Sequence, residues 1–296
     1  MRRLGVWLVA ALLFVSAGCD RGSTAGHASP LGSALPTTCS STSSPPIPDK
    51  DLEAAALNEP CLLTRLDLKA TEGGRTLTLV GAYADPARIV LIVSPWPGEE
   101  GAPPVPTLTE DVEGWLNSGA GAYPVDPHVP GSDYILYFGS GFQAMAGRIA
   151  HIKATFRLGT QGPPGLVDPG VTIAFSLRVF TSTPLPASHS FQLGKWQVMF
   201  QALEATPAVI HVRALFVGAH LEDIPSGPPP NEPVTLLDEA GKSLREVSGT
   251  GSLESQGASL DMQWMRPLPA GTYHLNFQIP GALHTVTLNV PVMTIA

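Results

Sequence analysis

Charge is what this sequence has little of. Asp, Glu, Lys and Arg make up 14% of its 296 residues, against roughly 25% in an ordinary soluble domain. Lys and Arg number 17 against 25 Asp and Glu, a net charge of -8. A chain without a basic excess cannot neutralise a run of phosphates, which excludes nucleic acid as the partner. Helical periodicity is also scarce. Gly and Pro supply 30 residues each, and these are the two residues that a helix interior tolerates least. No apolar run approaches the ~20 residues of a membrane-spanning helix. The chain lacks the metalloprotease pattern His-Glu-x-x-His, the Gly-x-Ser-x-Gly elbow and an Asp-x-Asp-x-Asp calcium loop, so neither a catalytic constellation nor a cofactor is expected. Apolar residues, by contrast, reach 44%. That is enough for a real core and excludes disorder throughout.

The N-terminus reads as a targeting segment. Arg2 and Arg3 precede an uncharged apolar run, Leu4 to Val15, and then Ser16-Ala17-Gly18-Cys19. This is the layout of a signal peptide. Small residues ending in cysteine resemble the bacterial lipoprotein signal, in which Cys19 would be lipidated and become the mature N-terminus. Ser16 stands where that family usually has Leu, and ordinary secretion with cleavage after Ala17 also fits. Three cysteines leave one over in an exported protein. With lipid on Cys19, Cys39 and Cys61 remain as a disulfide pair or as two free thiols. A bridge would close a loop worth on the order of 3 kcal/mol.

Residues 20–60 read as a flexible Ser/Pro-rich tether, as in Ser40-Ser41-Thr42-Ser43-Ser44-Pro45-Pro46. It contains one short helix, Asp51 to Leu57, capped by Asp49 and stopped by Pro60. Beyond Cys61 the pattern is that of strands. Arg75 to Val80, Val171 to Val179 and Thr285 to Val290 alternate, and Ile89 to Val93 is a continuous apolar run suited to a buried strand. Many short strands separated by Pro/Gly clusters predict an all-β chain of antiparallel β-sandwiches. Trp196 and Trp264 are the core candidates.

Short similarities recur in order along the two halves. Ala70-Thr71 pairs with Ala205-Thr206, Val80-Gly81-Ala82 with Val217-Gly218-Ala219, Thr107-Leu108 with Val234-Thr235 in altered order, and Ser118-Gly119 with Ser248-Gly249. Ala146-Gly147 pairs with Ala270-Gly271, and the strand at Thr172 with that at Thr285. They predict two related sandwiches, 61–183 and 190–296, with a break at Pro184-Leu185-Pro186. The second carries Leu236-Leu237-Asp238-Glu239-Ala240-Gly241-Lys242 and Pro269-Ala270-Gly271-Thr272-Tyr273. With the signal through Cys19 and the tether, this resembles bacterial lipoproteins bearing tandem immunoglobulin-like domains of unassigned function. Some similar domains are attached to anti-sigma-factor regulators. The resemblance implies a lipid-anchored envelope protein that binds or scaffolds a protein or glycan partner without catalysis.

Three groups bear on that partner. Trp96, Trp115 and Tyr123 lie in or beside loops of the first half, where exposed aromatics stack on sugars or anchor proteins. Asp126, His128 and Asp133 share a Pro-rich loop and are the basis of the competing reading, an envelope hydrolase or metal-dependent enzyme. A third reading is an accessory to extracytoplasmic stress sensing. His151, His211 and His274 fall in alternating strands between apolar residues and are expected to face solvent or a sheet edge.

Overall fold

A computed structural model describes residues 48–72, 75–94, 104–110, 114–115, 120–129, 131–139, 143–157, 170–225, 232–266 and 270–292. Strand-forming alternation organises nearly all of them. The first half runs through β1 (Thr64–Glu72), β2 (Arg75–Ala84), β3 (Arg88–Ser94), β4 (Thr107–Glu110), β5 (Gly114–Trp115), β6 (Ala120–Pro124), β7 (Tyr134–Gly139), β8 (Ile149–Phe156) and β9 (Val171–Arg178). Its antiparallel ladders give two sheets, β1-β2-β3-β7-β6 and β5-β4-β8-β9. In β9, Val171, Ile173, Phe175 and Leu177 are buried while the residues between them are exposed. Those four meet Leu77, Leu79, Leu91 and Phe138 of the facing sheet in one core, as period-two patterning requires.

The second half runs through β10 (Thr183–Pro184), β11 (Ser190–Leu193), β12 (Trp196–Ala205), β13 (Val209–Val217), β14 (Val234–Leu237), β15 (Glu246–Glu254), β16 (Gly257–Met265), β17 (Gly271–Ile279) and β18 (Ala282–Val290). One sheet has the order β10-β12-β13-β16-β15 with β11 also on β12, and the other is β14-β17-β18. Trp264, Phe216, Phe277 and Leu275 fill the core between them, joined by Trp196, so both predicted core tryptophans are in place.

The two halves share one connectivity. The paths β2-β3-β7-β6 facing β4-β8-β9, and β12-β13-β16-β15 facing β14-β17-β18, are each the immunoglobulin arrangement of four strands against three. Thr107-Leu108 and Val234-Thr235 lie on the equivalent strands β4 and β14, and Thr172 and Thr285 on β9 and β18; Ser118-Gly119 lies outside the described residues, and the Val-Gly-Ala pair is displaced. Topology equates β2 with β12, whereas Val80-Gly81-Ala82 lies within β2 and Val217-Gly218-Ala219 at the end of β13. The two glycines do different work. Gly81 sits at a bulge where an added Cβ would lie 3.1 Å from Leu63 Cγ, while Gly218 has φ +76 in a turn. The true counterparts are the turns Ala84-Asp85-Pro86-Ala87 and Ala205-Thr206-Pro207-Ala208. The Asp85 carboxylate accepts from the N–H groups of Ala87 (2.7 Å) and Arg88 (2.9 Å). The Thr206 hydroxyl accepts from those of Ala208 (3.3 Å) and Val209 (3.0 Å). Different side chains close the same turn.

The helix α1 spans Asp49–Ala54, earlier than expected, and follows Pro48 without a side-chain cap. Ala56 has φ +50, which ends it before Leu57. The described end of the expected tether is packed rather than loose. Leu52, Ala55, Leu57, Leu62 and Leu63 cluster with Tyr83, Val90, Ile92 and Ile135 from the outer face of the first half's larger sheet, and with Ala208 and Val209 of the second half. β3 is therefore buried on both faces, as its unbroken apolar run demands. The expected break at Pro184-Leu185-Pro186 is also part of a module: Thr183 and Pro184 pair with β12, and Leu185 is buried in the second core.

All described residues belong to one compact unit, and the third cluster is the apolar contact that joins its halves. Leu62→Ala should destabilise the protein by about 2–5 kcal/mol, the range for a buried leucine. Urea unfolding monitored by tryptophan fluorescence checks this, and a variant as stable as the parent would show that the cluster carries no folding energy.

Candidate functional site

The site assembles where the β2–β3 turn of the first half meets the outer face of β13 and β16. Gln263 Nε2 donates to the Ala87 carbonyl at 3.2 Å. Arg266 extends from the end of β16 and is buried. Its Nη1 donates to Thr206 O and its Nη2 to Pro291 O, both at 2.7 Å, and its backbone N–H donates to Ala208 O at 2.9 Å. The Asn58 side-chain amide donates to the Arg266 carbonyl.

Arg88, the first residue of β3, is only 1% exposed. Its Nη2 donates to Ala56 O at 2.9 Å. The guanidinium lies 5.7 Å from the Tyr83 ring centre and 5.8 Å from that of Tyr137, close enough for cation–π attraction. Nε and Nη1 are buried without a hydrogen-bond partner among the described residues. Tyr137 in turn donates its hydroxyl to Ala54 O.

On the outer face of the second half's larger sheet, His211 stands between two acids. Its Nδ1 is 3.0 Å from Glu204 Oε1 and its Nε2 is 3.1 Å from Asp261 Oδ1. Ser182 donates its hydroxyl to the other oxygen of Glu204. Burial alone would push the imidazole towards its neutral form. The hydrogen bonds and charges of Asp261 and Glu204 outweigh burial and lift its pKa to about 9. Burial raises the Glu204 carboxyl, but the hydrogen bonds from His211 and Ser182 bring it below the ordinary value. His211 is thus a buried cation, contrary to the expectation that it faces solvent. It does point away from the sandwich core, but that outward face is covered. His151 is exposed, with Nδ1 2.9 Å from Ser176 Oγ. His274 is half-buried. Beside the triad, Arg213 Nη2 donates to Glu254 Oε1 at 2.7 Å, and Gln201 donates to the other oxygen of Glu254 at 2.8 Å.

Two clefts flank this junction. One, of about 340 Å³, is walled by Arg88, Tyr137, Arg213, Thr250, Asp261 and Gln263 among others. The other, of about 440 Å³, lies between α1, β6, β7 and the start of β15, with Lys50, Glu53, Tyr123, Tyr137 and Arg245 in its wall. Tyr123 is 59% exposed on the edge strand β6 and stands edge-on to Tyr137, ring centres 5.9 Å apart. Of the aromatics singled out from sequence, it is the one placed in a cleft. Trp96 lies outside the described residues, and Trp115 is described only as a backbone member of β5.

The loop acids have separate occupations. Asp126 Oδ1 accepts from the His128 N–H at 2.9 Å, and Asp133 Oδ1 accepts from Ser94 Oγ at 2.8 Å. No hydrogen bond joins the Asp126, His128 and Asp133 side chains to one another. Among the described residues no group of three or more His, Cys, Asp and Glu is disposed to hold a metal ion. Cys61 lies in the 3₁₀ turn Pro60–Leu62 and is disulfide-bonded, while Cys19 and Cys39 lie outside the described residues. No described helix is long and apolar enough to cross a membrane.

No family model matches the chain, and no curated protein matches it. Among solved structures it is similar to a conserved domain protein from Bacillus anthracis, at 9% identity and a TM-score of 0.48, covering 77% of this chain and 92% of that one. Bovine butyrophilin matches at 8% identity and a TM-score of 0.23, covering 71% and 93%. Domains 5–6 of the S-layer protein SbsC match at 12% and 0.20, covering 72% and 93%. Likenesses of this size carry no argument about function, and the immunoglobulin assignment rests on the strand order itself.

Because the folded pKa of His211 lies above the ordinary histidine value of 6.5, protonated His211 stabilises the fold fully below about pH 6.5, and that contribution is lost as pH rises to about 9. The wild type should lose stability across that window, by a few kcal/mol at most, and His211→Gln should show a flatter profile. Urea midpoints measured from pH 6 to 9.5 check it; parallel profiles would remove the buried imidazolium.

Proposed function

We propose that the protein is a lipid-anchored, non-catalytic binding protein of the cell envelope, which recognises a protein or glycan partner through the Tyr123 cleft. Tyr123 carries this reading. A large aromatic left 59% exposed on an edge strand, backed by a second tyrosine and beside a cleft of about 440 Å³, has the form of a binding anchor. Lys50, Glu53 and Arg245 bring charges of both signs to the cleft wall, as at the polar rim of a recognition surface. The acids of the competing hydrolase reading are occupied in loop closure, which favours binding over catalysis.

The export and anchoring part of the proposal rests on residues 1–19, read as a lipoprotein signal with acylation at Cys19. Acylation there leaves Cys39 as the partner of the disulfide-bonded Cys61. The bridge would secure the segment before α1 to the 3₁₀ turn that packs on β3, and the two halves would be diverged copies of one module.

Tyr123→Ala removes an exposed ring, so it should leave the unfolding midpoint unchanged and abolish capture of the partner from a solubilised envelope fraction. Parallel pull-downs with wild type and variant check this; equal capture would remove Tyr123 from the interface. Mass spectrometry of the non-reduced protein from membranes should find an acylated N-terminus at Cys19 and a linked Cys39–Cys61 peptide. An N-terminus at Gly18, or an alkylatable Cys39, would overturn the corresponding part.

A further inference from the structure

We propose that the cleft beside Arg88 is a second binding site, one that takes the carboxylate of a small acidic sugar, such as a uronic acid, at the junction of the two halves. It is distinct from the Tyr123 surface, from which Tyr137 separates it, and does not depend on that reading.

The first observation is Arg88 itself. A guanidinium that is 1% exposed, makes one hydrogen bond and is engaged in no ion pair among the described residues is an expensive group to bury. Tyr83 and Tyr137 hold it by their rings and Ala56 by its carbonyl, which fixes its position without satisfying Nε or Nη1. Those donors belong to a residue in the cleft wall, and a carboxylate is the acceptor whose charge and oxygen spacing a guanidinium matches best.

The second observation is the opposite wall. Ser248, Thr250 and Ser252 occupy alternate positions of β15, so their hydroxyls share one face of the strand, and all three line the cleft. None of the three hydroxyls has a hydrogen-bond partner among the described residues. Gln263 and Arg213 add polar groups. A ladder of hydroxyls facing a buried cation suits a ligand with a carboxylate at one end and several hydroxyls along its body. The volume of about 340 Å³ holds one such ring and little more.

The charges agree. Asp261 also lines the cleft, but its Oδ1 is bonded to the protonated His211. Arg213 is paired with Glu254. That leaves Arg88 as the cleft cation without a carboxylate partner, the one group there whose charge an incoming carboxylate would pair directly.

Titration calorimetry of the folded protein with free galacturonate tests the site, with galactose as the neutral analogue and sulfate as a bare oxyanion. Galacturonate should bind, and galactose and sulfate should bind at least about tenfold more weakly, the scale of a charge-assisted hydrogen bond. Arg88→Met should keep the fold, since it removes an unsatisfied buried charge, and should weaken galacturonate by about tenfold or more. The double variant Thr250→Val with Ser252→Ala, on the exposed face of β15, tests the hydroxyl ladder and covers the case in which Arg88→Met does not fold; it should weaken binding about threefold. Tyr123→Ala should leave galacturonate affinity unchanged. No binding at millimolar galacturonate overturns the proposal. So does equal affinity for galactose or sulfate, unchanged affinity in both Arg88→Met and the double variant, or loss of affinity in Tyr123→Ala.

Discussion

The outer face of β3 must be covered, and the rest of the molecule is arranged around that requirement. Most surface strands of a sandwich turn one row of side chains to the core and the other to water. β3 cannot, because Val90 and Ile92 are as apolar as Ile89, Leu91 and Val93. The cover comes from two directions. The segment from Leu52 to Leu63 folds back over the sheet, and Ala208 and Val209 approach from the second half. Neither half of the chain is a finished domain in this sense. Each has its own core between its two sheets, but the first exposes an apolar face until the helix and the second half close it. The clefts at Tyr123 and Arg88 are the grooves left at the margins of that closure, so their walls necessarily come from several segments of the chain.

Apolar contact alone would not decide how the halves are oriented, since burial is non-directional. Orientation comes from hydrogen bonds of defined geometry. Gln263 of the second half reaches Ala87 of the first, and Asn58 reaches Arg266. Arg266, held within the second half by Thr206 and Pro291, anchors the second contact beside the turn Ala205 to Ala208. The two equivalent turns, Ala84 to Ala87 and Ala205 to Ala208, diverge at the next residue. Arg88 follows the first and Val209 the second, at the same topological position opening β3 and β13. The second half supplies an apolar side chain to the shared cluster, while the first supplies the cation to the cleft. The same topological position thus serves packing in one half and the proposed site in the other.

Period-two patterning made the strands legible because it is a local property. Val171 to Arg178 and Ile89 to Val93 are read correctly from a few consecutive residues, and their burial follows. The Asp49–Ala54 helix was legible in kind but not in extent, because Ala56 ends it through a backbone angle that an alanine run does not announce. The pairing of Val80-Gly81-Ala82 with Val217-Gly218-Ala219 was misleading, since Val-Gly-Ala triplets occur both at a bulge and at a turn. His211 was not legible as a buried cation. Its partners come from β12 and β16, and only strand register brings Glu204 and Asp261 to either side of one imidazole. Arg88 was missed for the same reason, as nothing local distinguishes an arginine opening a strand at a surface from one opening it at an interface. The Tyr123 cleft was half legible: the aromatic is visible in sequence, but the partner ring and the charged wall are not.

A chain so sparing with charge nevertheless buries several charged side chains. Asp51 and Glu110 are buried in the first half, while Asp85, Arg88, Glu204, His211 and Arg266 are buried at or near the junction. Were the junction only a hydrophobic seam, well-packed apolar residues would serve it at least as well. His211 is held at both ring nitrogens and Arg266 at both terminal nitrogens, with only its Nε unpartnered among the described residues, and so they fix geometry. Arg88 is not saturated, although Ala56, Tyr83 and Tyr137 fix its position as firmly. A rigidly held donor with unsatisfied capacity, in the wall of a cleft whose other walls are also fixed, loses little conformational freedom when an acceptor arrives. The combination of expensive burial and rigid placement therefore distinguishes Arg88 from its neighbours as a group positioned for a ligand rather than for the fold.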